Sequence, residues 1–115
     1  MEIIYYENNK GEIPVKDFID NSSQKDKVRM AKTILLLVEQ GSLLRRPYAA
    51  QLEDGINELR IKGTDNQLRI LYFYIVDNKA VLTHGFIKKT DKIPRKEIDK
   101  AKEYRKDFNN RRTEK

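Results

Sequence analysis

The chain has 115 residues, no cysteine and no tryptophan, and 37% of its residues are charged against 38% that are hydrophobic. This length supports one domain, residues 1–115, with a modest core, and the lack of cysteine excludes disulfides and thiolate metal sites. No apolar run approaches the length of a membrane span or of a signal-peptide core, so we expect a cytoplasmic protein that has no membrane partner.

The first half of the chain predicts one strand and then two helices. The β-branched and aromatic run Ile3–Tyr6 predicts the strand, and Pro14 opens a helix that extends to about Ile19. The caps Asn21–Ser23 begin a second helix, which ends near Gln40 before Gly41. Helical spacing predicts that this helix buries an apolar stripe, which consists of Val28, Ala31, Leu35 and Val38 and is widened by Ile34 and Leu37.

The second half predicts three consecutive strands and a final helix. Residues Ser42–Glu53 are the least regular part of the chain, and Arg45–Tyr48 within them are expected to form a basic loop. The predicted strands are Ile56–Lys62, Leu68–Val76 and Ala80–Ile87. The turn residues Asp77-Asn78 form a tight hairpin between the last two strands. The helix begins at Pro94, and residues 109–115 are expected to form a flexible basic tail.

The predicted order is β-α-α-β-β-β-α, an α+β fold. Three strands joined by short turns indicate a small antiparallel sheet, and we expect the helices to pack on one face of it. The opposite face would then remain partly open.

The positive charge is concentrated in the half that contains this sheet. Residues 1–55 have eight Lys or Arg against nine Asp or Glu, whereas residues 56–115 have sixteen against nine. The whole chain has a net charge of +6. Such asymmetry favours a polyanionic partner such as nucleic acid, although it also increases solubility by itself.

Arginine inside a strand is unfavourable without an anionic partner, and Arg60 and Arg69 lie inside adjacent predicted strands. Strand alternation places both on the open face, where guanidinium groups can bind phosphate. The alternative is a structural cross-strand ion pair, for example between Arg69 and Glu58.

Other candidate nucleic-acid contacts surround these arginines. Lys88 and Lys89 end the last strand, and the following helix begins with a further group of cations. Two aromatic residues lie in basic surroundings and are candidates for stacking on bases. The additional RNA-binding candidates are Lys62, Arg45, Arg46, Tyr48, Lys92, Arg95 and Tyr104. A solvated basic surface is the alternative interpretation.

His84 is the only histidine. A lone strand histidine is more often a packed residue than a catalyst, but its ordinary pKa would suit a general base for a 2′-hydroxyl. The acids are scattered and the glycines are spread singly through turns. We therefore expect no metal site and no cofactor.

Several segments together resemble the RelE/ParE toxin superfamily, in particular its HigB-like, phage-derived branch. These segments are LEDGINELR at 52–60, LRILYF at 68–73, HGFIKKT at 84–90, and Ile93-Pro94 with Glu97, Ile98 and Ala101. The resemblance covers nearly the whole chain, because the order and lengths of the helices also match. By position, Arg69 matches the strand arginine that stabilises phosphate charge in RelE-like enzymes, and Lys88 and Lys89 match the basic pair that ends the last strand.

The resemblance implies the toxin of a type II toxin–antitoxin system. Its expected partners are a helix-turn-helix, HigA-like antitoxin, mRNA and the ribosome. The expected activity is endoribonuclease cleavage of ribosome-bound mRNA, in which a 2′-hydroxyl attacks the adjacent phosphate. The sequence lacks a tyrosine soon after Lys89, which leaves the general base unassigned and His84 as a substitute. The alternatives are a ParE-type inhibitor of DNA gyrase and a non-catalytic nucleic-acid-binding module.

Overall fold

In the computed structural model, residues 1–113 are described, and they form five strands and three α-helices. The strands are β1 (Glu2–Tyr5), β2 (Ala49–Glu53), β3 (Ile56–Lys62), β4 (Gln67–Ile75) and β5 (Lys79–Lys88). The helices are α1 (Pro14–Asp20), α2 (Gln24–Gln40) and α3 (Arg95–Thr113), and a 3₁₀ turn at Gly41–Leu43 follows α2. The α+β class predicted from the sequence is confirmed.

The five strands form one mixed sheet in the order β1-β5-β4-β3-β2. Strands β2 to β5 are antiparallel neighbours, as expected for a meander. Strand β1 instead pairs in parallel with β5, where Glu2 lies opposite Lys79. The prediction of a purely antiparallel sheet is therefore wrong at this edge, because the chain returns through two helices and three strands before it reaches the partner of β1.

Strand β2 lies within the segment that the sequence analysis predicted to be irregular. It is short and contains no β-branched residue, so the strand pattern is weak. The signal that identifies it is the following dipeptide, since Asp54 and Gly55 have φ of 48° and 76°. Positive φ at both central residues is what a two-residue hairpin turn of this hand requires.

The helices cover both faces of the sheet, so the prediction that they pack on one face is wrong. Helices α1 and α2 pack on one face, through a core that includes Val15, Met30, Leu37, Leu59 and Ile70. Helix α3 packs on the other face, through a second core that includes Leu71, Phe73, Val81, Phe86 and Ala101. Both faces of the central strands are thus covered where α3 lies, which explains the nearly continuous apolar sequence of β4.

Helix α2 buries a different stripe from the predicted one. Its buried residues are Met30, Thr33 and Leu37, of which only Leu37 was predicted, whereas Val28 and Leu35 are 45% and 54% exposed. The helix is apolar on two sides, and both stripes have helical spacing. Periodicity alone could therefore not select the stripe that faces the sheet.

Helix α3 continues to Thr113, so the predicted tail is helical over residues 109–113. Side-chain contacts hold its last turns, since the Tyr6 hydroxyl donates to Asp107 at 2.6 Å and Arg111 lies 2.8 Å from the same carboxylate. Residues 114 and 115, the end of the predicted tail, lie outside the described residues. Within residues 1–113, no helix has the length and apolar character needed to cross a membrane.

Candidate nucleic-acid interface

The sheet register brings the strand cations together at one end of the face that α3 covers. Arg60 lies directly opposite Arg69, which in turn lies opposite Phe86. In the next row of this face, Gln67 lies between Lys62 and Lys88. Alternation along a strand places these two rows on the same face, one step apart. Arg69 is therefore close to Lys88 in the sheet.

A pocket of about 480 Å³ opens at this end of the face, between the sheet, the β5–α3 connection and the start of α3. Its charged residues comprise five cations and three acids. They are Arg46, Arg60, Lys88, Lys92, Arg95, Glu53, Glu58 and Asp91. Apolar side chains from β2, the connection and α3 complete the lining, and these are Leu52, Ile93 and Ile98. We call this cavity the basic pocket.

Arg69 lies beneath the basic pocket and is not one of the residues that line it. Its side chain is 3% exposed, its Nε lies 2.8 Å from Oε1 of Glu58, and its Nη1 donates to the Leu68 carbonyl at 2.9 Å. The Nε contact lacks the alignment of a hydrogen bond, so it is an ion pair held by charge and proximity. The alternative of a cross-strand ion pair with Glu58 is thus confirmed.

Burial and the neighbouring Arg60 lower the pKa of Arg69, while Glu58 opposes this change. The guanidinium still remains charged at neutral pH. A guanidinium that is buried and engaged in this way does not reach a phosphate in the basic pocket. Direct contact between Arg69 and RNA is therefore the part of the sequence interpretation that the geometry does not support.

Arg95 lines the basic pocket, but its charge is already matched within the protein. It donates to both carboxylate oxygens of Glu53, at 2.7 and 2.6 Å, and to Asp99 at 3.1 Å. Lys102 also contacts Glu53, at 2.6 Å, and these bonds lower the pKa of Glu53 to about 2. Arg95 therefore secures α3 to β2 and contributes less free positive charge than the sequence suggested.

The remaining cations that the sequence predicted as RNA contacts are exposed or half-buried, and their side chains form no ion pair with an acidic residue among residues 1–113. Among residues 1–113, the following form no ion pair: Arg45, Arg46, Arg60, Lys62, Lys88, Lys89 and Lys92. Lys62, Lys88 and Lys89 also line a second, adjoining cavity at the β3–β4 turn, so Lys88 connects the two. Arg45 lines a third cavity beside the β2–β3 hairpin. The cations that line the basic pocket and form no ion pair among the described residues are thus Arg46, Arg60, Lys88 and Lys92.

His84 lies under α3, outside the basic pocket. Its side chain is 5% exposed, its Nδ1 lies 3.0 Å from the Thr83 hydroxyl, and its Nε2 lies 3.2 Å from Glu97. Burial and the nearby Lys100 lower the pKa of His84 to about 4, and Glu97 opposes this shift. The ring is therefore neutral at pH 7, and both nitrogens are occupied inside the protein. The suggestion that His84 serves as the general base is corrected on this geometry.

Neither predicted stacking aromatic lies in the basic pocket. Tyr104 stacks on Tyr6 with ring centroids 4.5 Å apart and meets the His84 ring edge-on at 5.7 Å. Its ring is used for packing α3 onto the sheet, which corrects its prediction as a base-stacking residue. Tyr48 is 45% exposed and lines a cavity on the α2 side of β3.

The sequence indicated Glu58 only as a counter-ion, but Glu58 is the buried carboxylate that lines the basic pocket. A carboxylate among cations that can hold an anionic substrate is placed to accept a proton. The signal was available, since Glu58 alternates with Arg60 and Lys62 along β3. Glu58 is buried because α3 covers this face of the sheet. The prediction that the helices pack on one face left this face open.

The comparison with curated proteins finds no match to this chain. A family model described as "Phage derived protein Gp49-like (DUF891)" matches residues 17–106. The match spans α2, all of the β2–β5 meander and most of α3, and it includes every residue that lines the basic pocket. The chain therefore belongs to the Gp49-like family of phage-derived proteins, a family of RelE-like, toxin-related proteins.

Proposed function

We propose that this protein is the toxin of a type II toxin–antitoxin system and that it cleaves mRNA on the ribosome as an endoribonuclease. The observation that carries the proposal is the basic pocket, in which the unpaired cations Arg60, Lys88 and Lys92 line the same cavity as the carboxylate of Glu58. Membership in the Gp49-like family supports a toxin-related role. HigB-like character and a helix-turn-helix antitoxin remain part of the proposal, on the basis of the sequence resemblance.

In the proposed reaction, the 2′-oxygen of one nucleotide forms a bond to the adjacent phosphorus. The bond from phosphorus to the 5′-oxygen of the next nucleotide breaks, which leaves a cyclic phosphate and a 5′-hydroxyl. Glu58 accepts the proton of the 2′-hydroxyl, and Arg69, whose Nε lies 2.8 Å from Oε1 of Glu58, positions this carboxylate. The leaving oxygen takes up a proton from a lysine ammonium group or from water.

The cations have a separate task, which is electrostatic. Arg60, Lys88 and Lys92 stabilise the additional negative charge that develops on the phosphate oxygens in the transition state. Positioning of the RNA backbone for in-line attack contributes further, and the ribosome can supply the alignment that so small a pocket lacks.

Pulse expression followed by primer extension on cellular transcripts tests the proposal. We expect new transcript ends within minutes of expression, and loss of at least about two orders of magnitude in cleavage rate for Glu58→Gln, which keeps the shape of the side chain but cannot accept the proton. The double variant Arg60→Ala/Lys88→Ala should lose cleavage as well. Lys25→Ala, which removes an exposed cation on α2, is the matched control and should cleave normally.

The alternatives give different results in the same experiment. Growth arrest with intact transcripts and an active DNA-damage reporter would show a gyrase inhibitor of the ParE type. Salt-sensitive RNA binding without cleavage products would show a binding module. Cleavage that persists in both Glu58→Gln and Arg60→Ala/Lys88→Ala would mean that the reaction uses another site.

A further inference from the structure

The third cavity, beside the β2–β3 hairpin, has a volume of about 530 Å³ and lies on the side of the sheet opposite α3. The register gives its position, since Asn57 lies between Gln51 of β2 and Tyr72 of β4, and Tyr72 belongs to the core under α1 and α2. We call it the hairpin cavity. The proposed cleavage reaction makes no use of it.

Asn57 places a polar group in the hairpin cavity that has no partner within the protein. The residue is 6% exposed, and its Nδ2 donates to the Gly55 carbonyl at 3.3 Å, which fixes the orientation of the amide. Its Oδ1 accepts no hydrogen bond within residues 1–113. This oxygen is not sealed in the core, because the sealed atoms without a partner in those residues are the Nε atoms of Arg69 and Arg111. It can therefore accept an N–H group from a ligand.

The charge at the hairpin cavity is positive. Arg45 and Arg46 line it, and both are exposed. Neither forms an ion pair within the part of the chain that the structure describes, and none of the described residues that line the cavity is acidic. Guanidinium groups bind phosphate through paired N–H donors, so these two free arginines suit a phosphate.

Asn57 also lines a smaller, adjoining cavity of about 420 Å³ at the hairpin turn. That cavity contains the acids Glu53 and Asp54. Of the described residues that line it, Arg105 is the one cation, and it is already paired with Asp54 at 2.7 Å. The acidic lining disfavours an anion there, so the anionic end of a ligand belongs on the side of the two free arginines.

The remaining side chains of the hairpin cavity suit a nucleobase. Tyr74 is 37% exposed, and an aromatic ring at such a position can stack on a base. Every nucleobase has an N–H donor on its Watson–Crick edge, so Oδ1 of Asn57 can accept from any of the four bases. The volume is in the ordinary range of small-molecule sites. A phosphate alone would leave Asn57 and Tyr74 without a function.

We propose that the hairpin cavity binds one nucleotide, with its base against Asn57 and Tyr74 and its phosphate at the two free arginines. An RNA strand and a free mononucleotide offer the same chemistry. Arg46 also lines the basic pocket, so the two sites meet at the β2 edge of the sheet and one RNA strand can pass through both. Binding in the hairpin cavity does not depend on ribonuclease activity.

Titration of the folded protein with nucleoside 5′-monophosphates, followed by NMR, tests the site. We expect saturable shifts of the Asn57 side-chain amide and of the Tyr74 ring. Ribose 5-phosphate, which lacks the base, should bind about tenfold more weakly or worse. Equal binding of ribose 5-phosphate would overturn base recognition, and the absence of saturable shifts at Asn57 and Tyr74 would overturn the proposal.

Variants of the chain locate the site without affecting the basic pocket. Tyr74→Leu and Arg45→Gln lie in the hairpin cavity and outside the basic pocket, and each should weaken mononucleotide binding by about fivefold or more. The matched controls are Tyr5→Leu, at a tyrosine that is 38% exposed on β1, and Lys25→Gln on α2, and both should bind normally. Circular dichroism confirms that each variant is folded. Equal weakening by the cavity variants and their controls would contradict the site.

An RNA hexamer with 2′-O-methyl riboses, which cannot be cleaved by attack of the 2′-oxygen, distinguishes the two sources of the nucleotide. A strand that occupies both sites should bind at least about tenfold more tightly than a mononucleotide, because its second contact is intramolecular. Arg60→Ala/Lys88→Ala should then weaken the hexamer and leave the mononucleotide unchanged. Equal affinities of the hexamer and the mononucleotide would keep the nucleotide site and assign it to a free mononucleotide.

The same experiments separate this proposal from the proposed nuclease activity. Nucleotide binding in the hairpin cavity together with intact transcripts after pulse expression would contradict the nuclease and leave the nucleotide site in place. Normal transcript cleavage together with no nucleotide-induced shifts at Asn57 would contradict the nucleotide site alone.

Discussion

Glu58 and Arg69 are both buried, and each is the other's main source of charge compensation. Removal of one member of a buried ion pair leaves an uncompensated charge, whereas replacement of both by apolar residues of similar size is often nearly neutral. Mutation of either residue alone therefore disturbs folding as well as any chemistry in the basic pocket, so loss of cleavage in Glu58→Gln counts as a loss of chemistry only when circular dichroism shows that the variant is folded.

We predict that Arg69→Met destabilises the fold by about 3 kcal/mol or more, and that the double variant Glu58→Leu/Arg69→Met recovers most of this loss. Urea denaturation measures both. The exposed pair of Lys16 and Asp20 provides the control, and Lys16→Met should change the stability little. Equal stability of the single Arg69 variant and the wild type would show that the buried pair is not structural.

At the level of residues, the sequence predicted which face of the sheet a side chain lies on better than how deeply that side chain is buried. Alternation along β3 and β4 correctly placed Arg60 and Arg69 on the face opposite Leu59 and Ile70. Whether a residue on that face is open or buried depends on where α3 lies, and no local pattern contains that information. Arg69 and His84 were therefore both assigned to chemistry, although they are packed beneath α3.

Strand β5 has a close contact with α1 that depends on one glycine. A Cβ atom at Gly85 would lie 2.3 Å from Cδ2 of Phe18, well inside van der Waals contact. Helix α1 therefore rests directly on the backbone of β5 at this position. Any side chain at residue 85 must displace Phe18 or the whole helix.

We predict that Gly85→Ala destabilises the protein by about 1–3 kcal/mol through overpacking. Adding Phe18→Leu, a smaller and more flexible side chain, should recover part of the loss, and Phe18→Leu alone gives the reference cost of that change. Thermal denaturation measures all three variants. A stability for Gly85→Ala equal to that of the wild type would mean that α1 is not held against β5.

At the level of elements, helices and strands with strong local sequence signals were predicted, and an element with a weak signal was missed. The cap at Ser23, which accepts from the Asp26 N–H at 3.2 Å, and Gly41, with φ of 56°, mark the ends of α2 as predicted. Strand β2 escaped detection because its five residues have little strand preference. The hairpin turn that follows β2, Asp54-Gly55, was the available signal.

For the whole molecule, the proposed RNA contact makes a quantitative prediction about salt. If Arg60, Lys88 and Lys92 each neutralise one phosphate, the logarithm of the affinity for single-stranded RNA should fall with the logarithm of salt concentration with a slope of about −2. Arg60→Ala should reduce the magnitude of the slope by about 0.7, and Lys25→Ala should not change it. Filter binding across a salt series checks this, and a slope near zero would exclude phosphate contact by these residues.

The position of α3 was the main feature of the whole fold that could not be predicted. The sequence shows an amphipathic helix but not which face of the sheet it covers, because both faces of β4 are apolar. The second core, in which Ala101 packs with Leu71 and Phe73, holds α3 on its face, together with ion pairs to the β2–β3 hairpin such as Arg105 with Asp54 at 2.7 Å. Such pairs join residues far apart in sequence and leave no periodic signal.

The parallel pairing of β1 with β5 also determines the order in which the chain can assemble. Because Glu2 must meet Lys79, β1 has no sheet neighbour until almost all of the meander has been synthesised. Such distant pairing requires a large loss of chain entropy before any contact compensates for it. The hairpins of the meander are local and can form early, so we expect closure of the β1 edge to be a late event in folding.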